Sequence, residues 1–433
     1  MNGGEGGTRG SWAARNIGRS LYCLVLTGCV CLCPSSALTG QVSPFPPPRL
    51  PASPHDSLTV YLMTMGPGKR VWERFGHNAI WIHDPINGTD QAYNYGLFDF
   101  RQHNFLLRFA QGRMWYWMQG FSAQSYLELY RRANRSVWVQ ELDIPPRSRR
   151  ELQQFLEWNE RPENRFYHYD YYRDNCSTRV RDALDRALGG QIENQTAGRS
   201  TGHTYRFHTL RLTSNDPPIY TALLLALGHP TDRPISQWQE MFLPLAMRKH
   251  LRAVTIRGEN GVAHPLVRSE RTLFESTDRA PPESPPNWVP GYLLLGVAIG
   301  AAVFALARSS TRTARIGFYV LALGWVLLSG LGGLVLAGLW GLTDHTAAYY
   351  NENLLQLNLL ALPLLWLVPS AAGERIGRAR TASTLALLVA GMSLLGLVLK
   401  VLPAFYQING QVIALALPAQ LGLAAGLVKR ARP

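Results

Sequence analysis

The chain has 433 residues, a formal net charge of +14 and 46% hydrophobic residues, so unevenly distributed that no average describes both halves. That length exceeds one ordinary domain. Its Lys and Arg residues are spread through a polar region and the ends of apolar runs, with no arginine-rich arm or interleaved aromatic stacking motif, which argues against nucleic acid and for anionic lipid surfaces.

At the N-terminus, Arg9, Arg15 and Arg19 precede an apolar stretch from Leu21 to Cys33, and Ser35-Ser36-Ala37 offers small residues for cleavage after Ala37. Residues 1–37 therefore read as an export signal, with a retained membrane segment as the competing reading. Leu26-Thr27-Gly28-Cys29 also resembles a lipobox, which would direct lipidation to Cys29. Residues 38–57 follow as a proline-rich, extended linker.

Residues 58–287 read as one α+β domain outside the cytoplasm. Leu58 to Met65, Ala79 to His83 and Ala92 to Phe98 are short, rich in aromatic and β-branched residues, and separated by Gly66-Pro67-Gly68 and Asn87-Gly88, which predicts adjacent antiparallel strands. Val137 to Ile144 alternates as a further strand. Helical spacing predicts a helix over Arg147 to Asn159 and a second over Ser177 to Leu188, with Val180, Ala183, Leu184 and Ala187 on one face and Gly189 beyond its end.

Residues 288–433 read as a transmembrane bundle of five spans: Trp288 to Ala307, Ile316 to Leu339, Leu354 to Val368, Leu385 to Leu402 and Val412 to Val428. Arg308, Arg312 and Arg315 lie between the first pair, and Arg375, Arg378 and Arg380 between the third and fourth. Lys429, Arg430 and Arg432 follow the last. The alternate loops, Gly341 to Asn353 and Pro403 to Gln411, contain neither Lys nor Arg, so the positive-inside rule places the polar domain on the outer face. Lys400, near an outer end, is placed to snorkel.

Four of the five cysteines, Cys23, Cys29, Cys31 and Cys33, lie in the N-terminal apolar run, which leaves Cys176 alone in the polar domain. Such a cysteine is a small buried apolar group, a site of pairing between chains, or a reactive thiol. Its position at a predicted helix start favours the thiolate through unpaired backbone N–H groups and the helix dipole, so partial ionisation near neutral pH is expected. His77, at the start of a buried strand, can act as its base, although a histidine there also serves as a hydrogen-bonded structural group. His77, His83 and Cys176 show no zinc-ligand spacing, and neither metal nor cofactor is expected.

A strand-start histidine followed by a helix-start Asn175-Cys176 resembles the circularly permuted papain-like superfamily, which includes the lecithin retinol acyltransferase group and relatives of peptidoglycan peptidases. More closely, Gly66-Pro67-Gly68, Phe75-Gly76-His77, the run from Tyr93 to Phe100, the run from Asn175 to Asp182, and Asp232-Arg233-Pro234 resemble the Lnb family of bacterial lipoprotein N-acyltransferases. Thr343-Asp344-His345 and the run Asn351-Glu352-Asn353-Leu354-Leu355 continue the resemblance. It implies a permuted papain-like domain in the periplasm, carried on the inner membrane, with Cys176 as nucleophile and His77 as base. A polar residue on the next strand would orient the imidazole, either Asn94 or Asp99. Tyr93, Asn175 and Arg179 would shape the site or bind a phosphate. Asp344, His345, Asn351 and Asn353 would close the site, contact headgroups, or simply form a polar loop. The implied acyl donor is a membrane phospholipid and the acceptor a diacylated lipoprotein. A membrane-tethered cysteine peptidase acting on cell-wall peptides and a non-catalytic envelope binding protein are the alternatives.

Overall fold

The computed structural model describes residues 57–258, 261–370 and 376–431. The expected signal or membrane segment, lipidation at Cys29 and the linker up to residue 56 lie outside the described residues. The first strands fall where alternation places them: β1 (Thr59–Met65), β2 (His77–Asp84) and β3 (Thr89–Leu97). They pair antiparallel in sequence order, with Leu62 opposite Ile80 and Ala79 opposite Asn94. Helix α1 (Phe105–Gln111), β4 (Trp115–Ser122), helix α2 (Ala123–Arg132) and β5 (Val137–Leu142) follow. Beyond them come helix α3 (Pro146–Glu160), β6 (Phe166–His168) and helix α4 (Cys176–Ala187). A late strand, β7 (Val267–Phe274), pairs with β5 and completes a seven-stranded sheet in the order β7-β5-β1-β2-β3-β4-β6.

Strand periodicity assigns the two faces. Val60, Leu62, Ile80, Ile82, Tyr93 and Tyr95 form one core with Val180, Ala183 and Leu184 of α4 and Leu152 and Leu156 of α3. By register, Met63, Met65, His77, Ala79 and Asn94 belong to the opposite face. The short helical spacing seen in the sequence therefore reports real buried stripes, and burial of each large apolar side chain contributes about 1.5–3 kcal/mol.

Helix α5 (Tyr205–Thr213) and helix α6 (Pro217–Ala226) extend the domain, and helix α7 (Pro244–Leu251) packs Met247 and Leu251 into the main core. Among the described residues, four helices are then long and apolar enough to cross a membrane: α8 (Val289–Arg308), α9 (Arg312–Gly341), α10 (Ile376–Val398) and α11 (Gly410–Ala431).

The expected third span over Leu354 to Val368 is not a continuous helix. It breaks into 3-10 turns at Glu352–Leu355 and Leu359–Ala361 and a short helix, Leu364–Ser370, so a count of five spanning helices does not hold among the described residues. Two causes act together. Fifteen helical residues would reach only about 22 Å against a hydrocarbon core of about 30 Å. Pro363 also lacks the N–H that a helix would use, and irregular backbone at membrane depth is tolerated where protein covers it. Here Gln356 and Asn358 are buried. Gln356 donates to the Ser393 carbonyl at 3.1 Å, and Asn358 lies against Gly333 of α9, where any side chain would collide with it.

The outer ends of the bundle join the polar domain through amides. Asn351 Nδ2 donates to the carbonyls of Leu225 and Ala226 at 2.8 and 3.1 Å, and Asn353 Nδ2 to those of Leu224 and Leu225 at 3.3 and 3.0 Å. These are carbonyls at the C-terminal end of α6, which a helix cannot satisfy by itself. Lys400 does not snorkel to water; it pairs with Glu352 and donates to the Gln407 carbonyl at 2.7 Å.

Candidate active site

The site begins with a helix cap. Asn175 has an extended backbone, and its Oδ1 accepts from the backbone N–H groups of Ser177 and Thr178 at 2.9 Å each. Thr178 Oγ1 accepts in return from the Asn175 N–H at 2.8 Å, which closes a reciprocal capping box and fixes the first turn of α4. Asn175 Nδ2 donates to the carbonyls of Tyr171 and Phe242, each at 3.0 Å. Asn175 is thus a buried positioning residue for Cys176, not a group open to a ligand.

A one-residue irregularity in the pairing of β3 with β4 falls between Tyr95 and Leu97, at Gly96, whose φ is +97°. A Cβ on Gly96 would lie 3.2 Å from the Cys176 Cβ, 3.7 Å from the His77 Cε1 and 3.9 Å from the Tyr167 hydroxyl. Cysteine and histidine, 99 positions apart in the chain, therefore border the same small gap. Only glycine both adopts this backbone and leaves the gap open.

His77 Nε2 lies 2.5 Å from Asn94 Oδ1. An amide oxygen only accepts, so the neutral ring holds its hydrogen on Nε2 and keeps the Nδ1 lone pair for a proton. Asp99 is engaged elsewhere: its carboxylate accepts from Arg101 Nε at 3.1 and 3.2 Å. Of the two sequence candidates for orienting the imidazole, the geometry brings Asn94 to His77 and leaves Asp99 with Arg101.

The electrostatics differ from the helix-start expectation. Burial pushes the Cys176 thiol up to about 11, although the backbone N–H groups of Asn78, Ser177 and Cys176 and the nearby Arg135 all pull it down. Burial likewise lowers His77 to about 4, with the Asn94 bond opposing and Arg135 reinforcing that fall. Desolvation outweighs the helix dipole, and the resting pair is a neutral thiol beside a neutral imidazole.

Arg135 is the residue that motif reading missed. It is buried, its Nε donates to the Gly66 carbonyl at 2.9 Å, and its guanidinium carbon lies 4.6 Å from the Tyr130 ring centre. A second guanidinium nitrogen, Nη2, is buried and has no hydrogen-bond partner among the described residues. The Gly66-Pro67-Gly68 turn accounts for its place, since a side chain at Gly68 would press on Glu73 and on the Arg135 stem.

The other residues singled out in the sequence separate into groups. Tyr93 lies in the core on the face opposite Asn94 and is not brought to the gap. Arg179 forms a two-pronged pair with Asp174 and covers the Tyr167 ring at 4.3 Å, so it supports the wall formed by that ring. Asn351 and Asn353 are buried caps of α6 and are closed to headgroups. Asp344 pairs with Arg113 at 2.6 Å, while His345 Nε2 donates to the Phe109 carbonyl at 3.0 Å and its ring stacks on Tyr171 at 6.1 Å. These last two fasten the outer loop to the rim of the aromatic wall around Cys176.

A second cluster gathers His203, His208 and His250 around Glu240, at 3.0, 2.8 and 2.6 Å. The spacing of His203, His208 and Glu240 would suit a metal ion. The chemistry fits a hydrogen-bonded cluster better. Arg211 Nε donates to His208 Nδ1 at 3.2 Å, so His208 carries its hydrogen on Nε2 and presents it to Glu240, where a metal would need a lone pair. Burial of Glu240 would raise its pKa, but the bonds from His208, His250 and His203 hold the carboxyl well below the usual range.

An α+β domain joined to four helices long and apolar enough to cross a membrane defines the class, a multi-pass membrane protein. Residues 50–215 match the family model of the Lnb N-terminal periplasmic domain, which supports the Lnb-type relationship and puts the domain in the periplasm. No curated protein and no solved structure matches the chain.

Proposed function

We propose that this protein is a cysteine acyltransferase that moves a fatty acyl chain from a membrane phospholipid to the N-terminal amine of a lipoprotein. The observation that carries the reading is the convergence of Cys176 with the His77–Asn94 pair over Gly96, in the domain that matches the Lnb family model. The Cys176 sulfur attacks the ester carbonyl of the phospholipid as His77 Nδ1 takes the thiol proton. The tetrahedral intermediate collapses, the C–O ester bond breaks, and His77 returns the proton to the departing lyso-lipid oxygen. The α-amine of the lipoprotein's lipid-modified cysteine then attacks the thioester. His77 accepts a proton from nitrogen as the amide forms, and the sulfur leaves and is reprotonated.

A neutral resting pair suits this sequence. The sulfur is not committed as a thiolate, and the proton moves when the bond forms. Both substrates are anchored in one leaflet, so a domain fastened to the outer ends of membrane helices meets them at high effective concentration. The test is intact-mass measurement of the purified full chain with phospholipid vesicles. One acyl adduct, removable by hydroxylamine and mapped to the peptide carrying Cys176, is expected; adduct mapped elsewhere, or none, overturns the reading.

A further inference from the structure

Helix α1 presents an apolar surface that the polar domain does not cover. Leu106, Leu107 and Phe109 are 71%, 55% and 47% exposed, on a helix of seven residues with no buried residue of its own. Arg108 lies among them, while Arg113, beyond the helix, is paired with Asp344. Single exposed apolar side chains are ordinary, but a contiguous group with a basic residue among it marks an interaction surface.

The position of α1 identifies what covers it. Asp344 N donates to the Gln111 carbonyl at 2.8 Å, His345 Nε2 to the Phe109 carbonyl at 3.0 Å, and Gly112 packs so closely on His345 that a side chain would meet its backbone at 2.9 Å. These loop residues directly follow α9, which ends at Gly341. Trp340 and Tyr350, both exposed and in ring contact at 5.3 Å, flank that loop as interfacial aromatic residues do. Leu342, 82% exposed, continues the apolar surface from the membrane helix toward α1. The apolar helix is thus hydrogen-bonded to the loop at the end of a helix long enough to cross a membrane, beside that loop's flanking aromatic residues.

From α1 a chain of rings leads inward. Phe105 lies 6.2 Å from Phe98, Phe98 lies 5.1 Å from Tyr116, and Tyr116 stacks on Tyr169 at 4.2 Å. Tyr116, Tyr169 and Cys176 all pack against the same core.

We propose that α1 is an interfacial helix that dips Leu106, Leu107 and Phe109 into the outer leaflet beside the bundle, with Arg108 among anionic phospholipid headgroups. The surface needs only a bilayer and does not depend on the acyl-transfer reading; if that reading holds, the aromatic track is the route by which an acyl chain reaches Cys176.

The full chain carrying Cys176→Ser is placed in nanodiscs of phosphatidylethanolamine and phosphatidylglycerol, with photoreactive benzoylphenylalanine at Leu107 or at Ile86. Ile86 is 63% exposed in the turn at the other end of β2 and β3 from His77. Illumination is expected to give phospholipid adducts at Leu107 in at least about tenfold higher yield than at Ile86, as burial in an acyl boundary requires. Equal yields, or capture of a second copy of the chain, would overturn the proposal. Because the chain lacks the thiol, lipid capture at Leu107 stands even if the wild-type chain forms no acyl adduct.

Discussion

Asn94 and His77 lie on neighbouring strands with Oδ1 and Nε2 at 2.5 Å, a contact set by the register that puts Asn94 opposite Ala79. Because the amide fixes both the ring orientation and the tautomer, Asn94→Ala is expected to slow formation of the acyl adduct about 10²-fold without altering folding or membrane insertion. Single-turnover intact-mass measurements check it. Unchanged turnover would remove Asn94 from the machinery.

Arg135 makes a prediction in pH. Its charge lowers His77 and lowers Cys176, each a smaller effect than burial. His77 must be neutral to accept a proton, and with its pKa lowered to about 4 acyl-adduct formation should persist through pH 5 and fall as pH drops through about 4. In Arg135→Gln the lost charge lets His77 titrate at higher pH, so the acid limb moves up, while the thiol becomes still harder to ionise. The profile of adduct formation between pH 3.5 and 8 is the measurement, for example in steps of roughly half a unit. An unmoved acid limb would show that Arg135 does not act on His77.

How much of this was legible in the sequence follows from which forces are local. Alternation located β1, β2, β3 and β5, and helical spacing located α3 and α4, because burial of one face imposes a period of two or 3.6. The helix start near Cys176 was readable from the apolar stripe of Val180, Ala183, Leu184 and Ala187, whereas its Asn175 cap was not. The tie between His77 and Asn94 entered through family resemblance, and no local rule supplies it, since it depends on register between strands. Arg135 was invisible because a lone arginine after a helix looks solvated until the Gly66-Pro67-Gly68 turn closes on it. Burial opposes the thiolate expectation for a related reason: the helix-end effect is local, whereas the burial that counters it comes from the folded sheet and its aromatic wall. Asn351 and Asn353 read as headgroup contacts only while the α6 carbonyls they cap were out of view.

The interrupted third crossing bears on topology. The segment after α9 packs Leu357 to Leu362 against Gly330 and Gly333, midway along that helix, and Val368 shares a cleft with Arg315, Ala379 and Arg430 at its other end. The chain therefore passes from one end of the bundle to the other there despite its broken helix, and the alternation of basic loops is preserved. A reporter fused after Pro433 is expected to be cytoplasmic and one inserted near Ser284 external. Both tags on one side, scored by alkaline phosphatase and fluorescent-protein fusions, would refute the arrangement.

The last prediction separates a buried neutral thiol from a resting thiolate. With Cys176 pushed up to about 11, its alkylation by iodoacetamide at neutral pH should run on the order of 10² times slower than that of a free cysteine, whose pKa is about 8.5. The rate should climb with pH without reaching a plateau below about 11. A plateau near neutral pH would mean that the sulfur is ionised at rest and that the helix end outweighs burial. Phospholipid should nevertheless acylate the same sulfur at neutral pH, because His77 removes the proton as the bond forms instead of beforehand. Cys176→Ser keeps the size of the side chain but presents a hydroxyl that is a much weaker nucleophile, so it should express and insert normally yet form no adduct. Supplied with phospholipid and a diacylated lipoprotein, it should give no triacylated product by mass spectrometry. Conversion at the wild-type rate would rule out the cysteine as nucleophile.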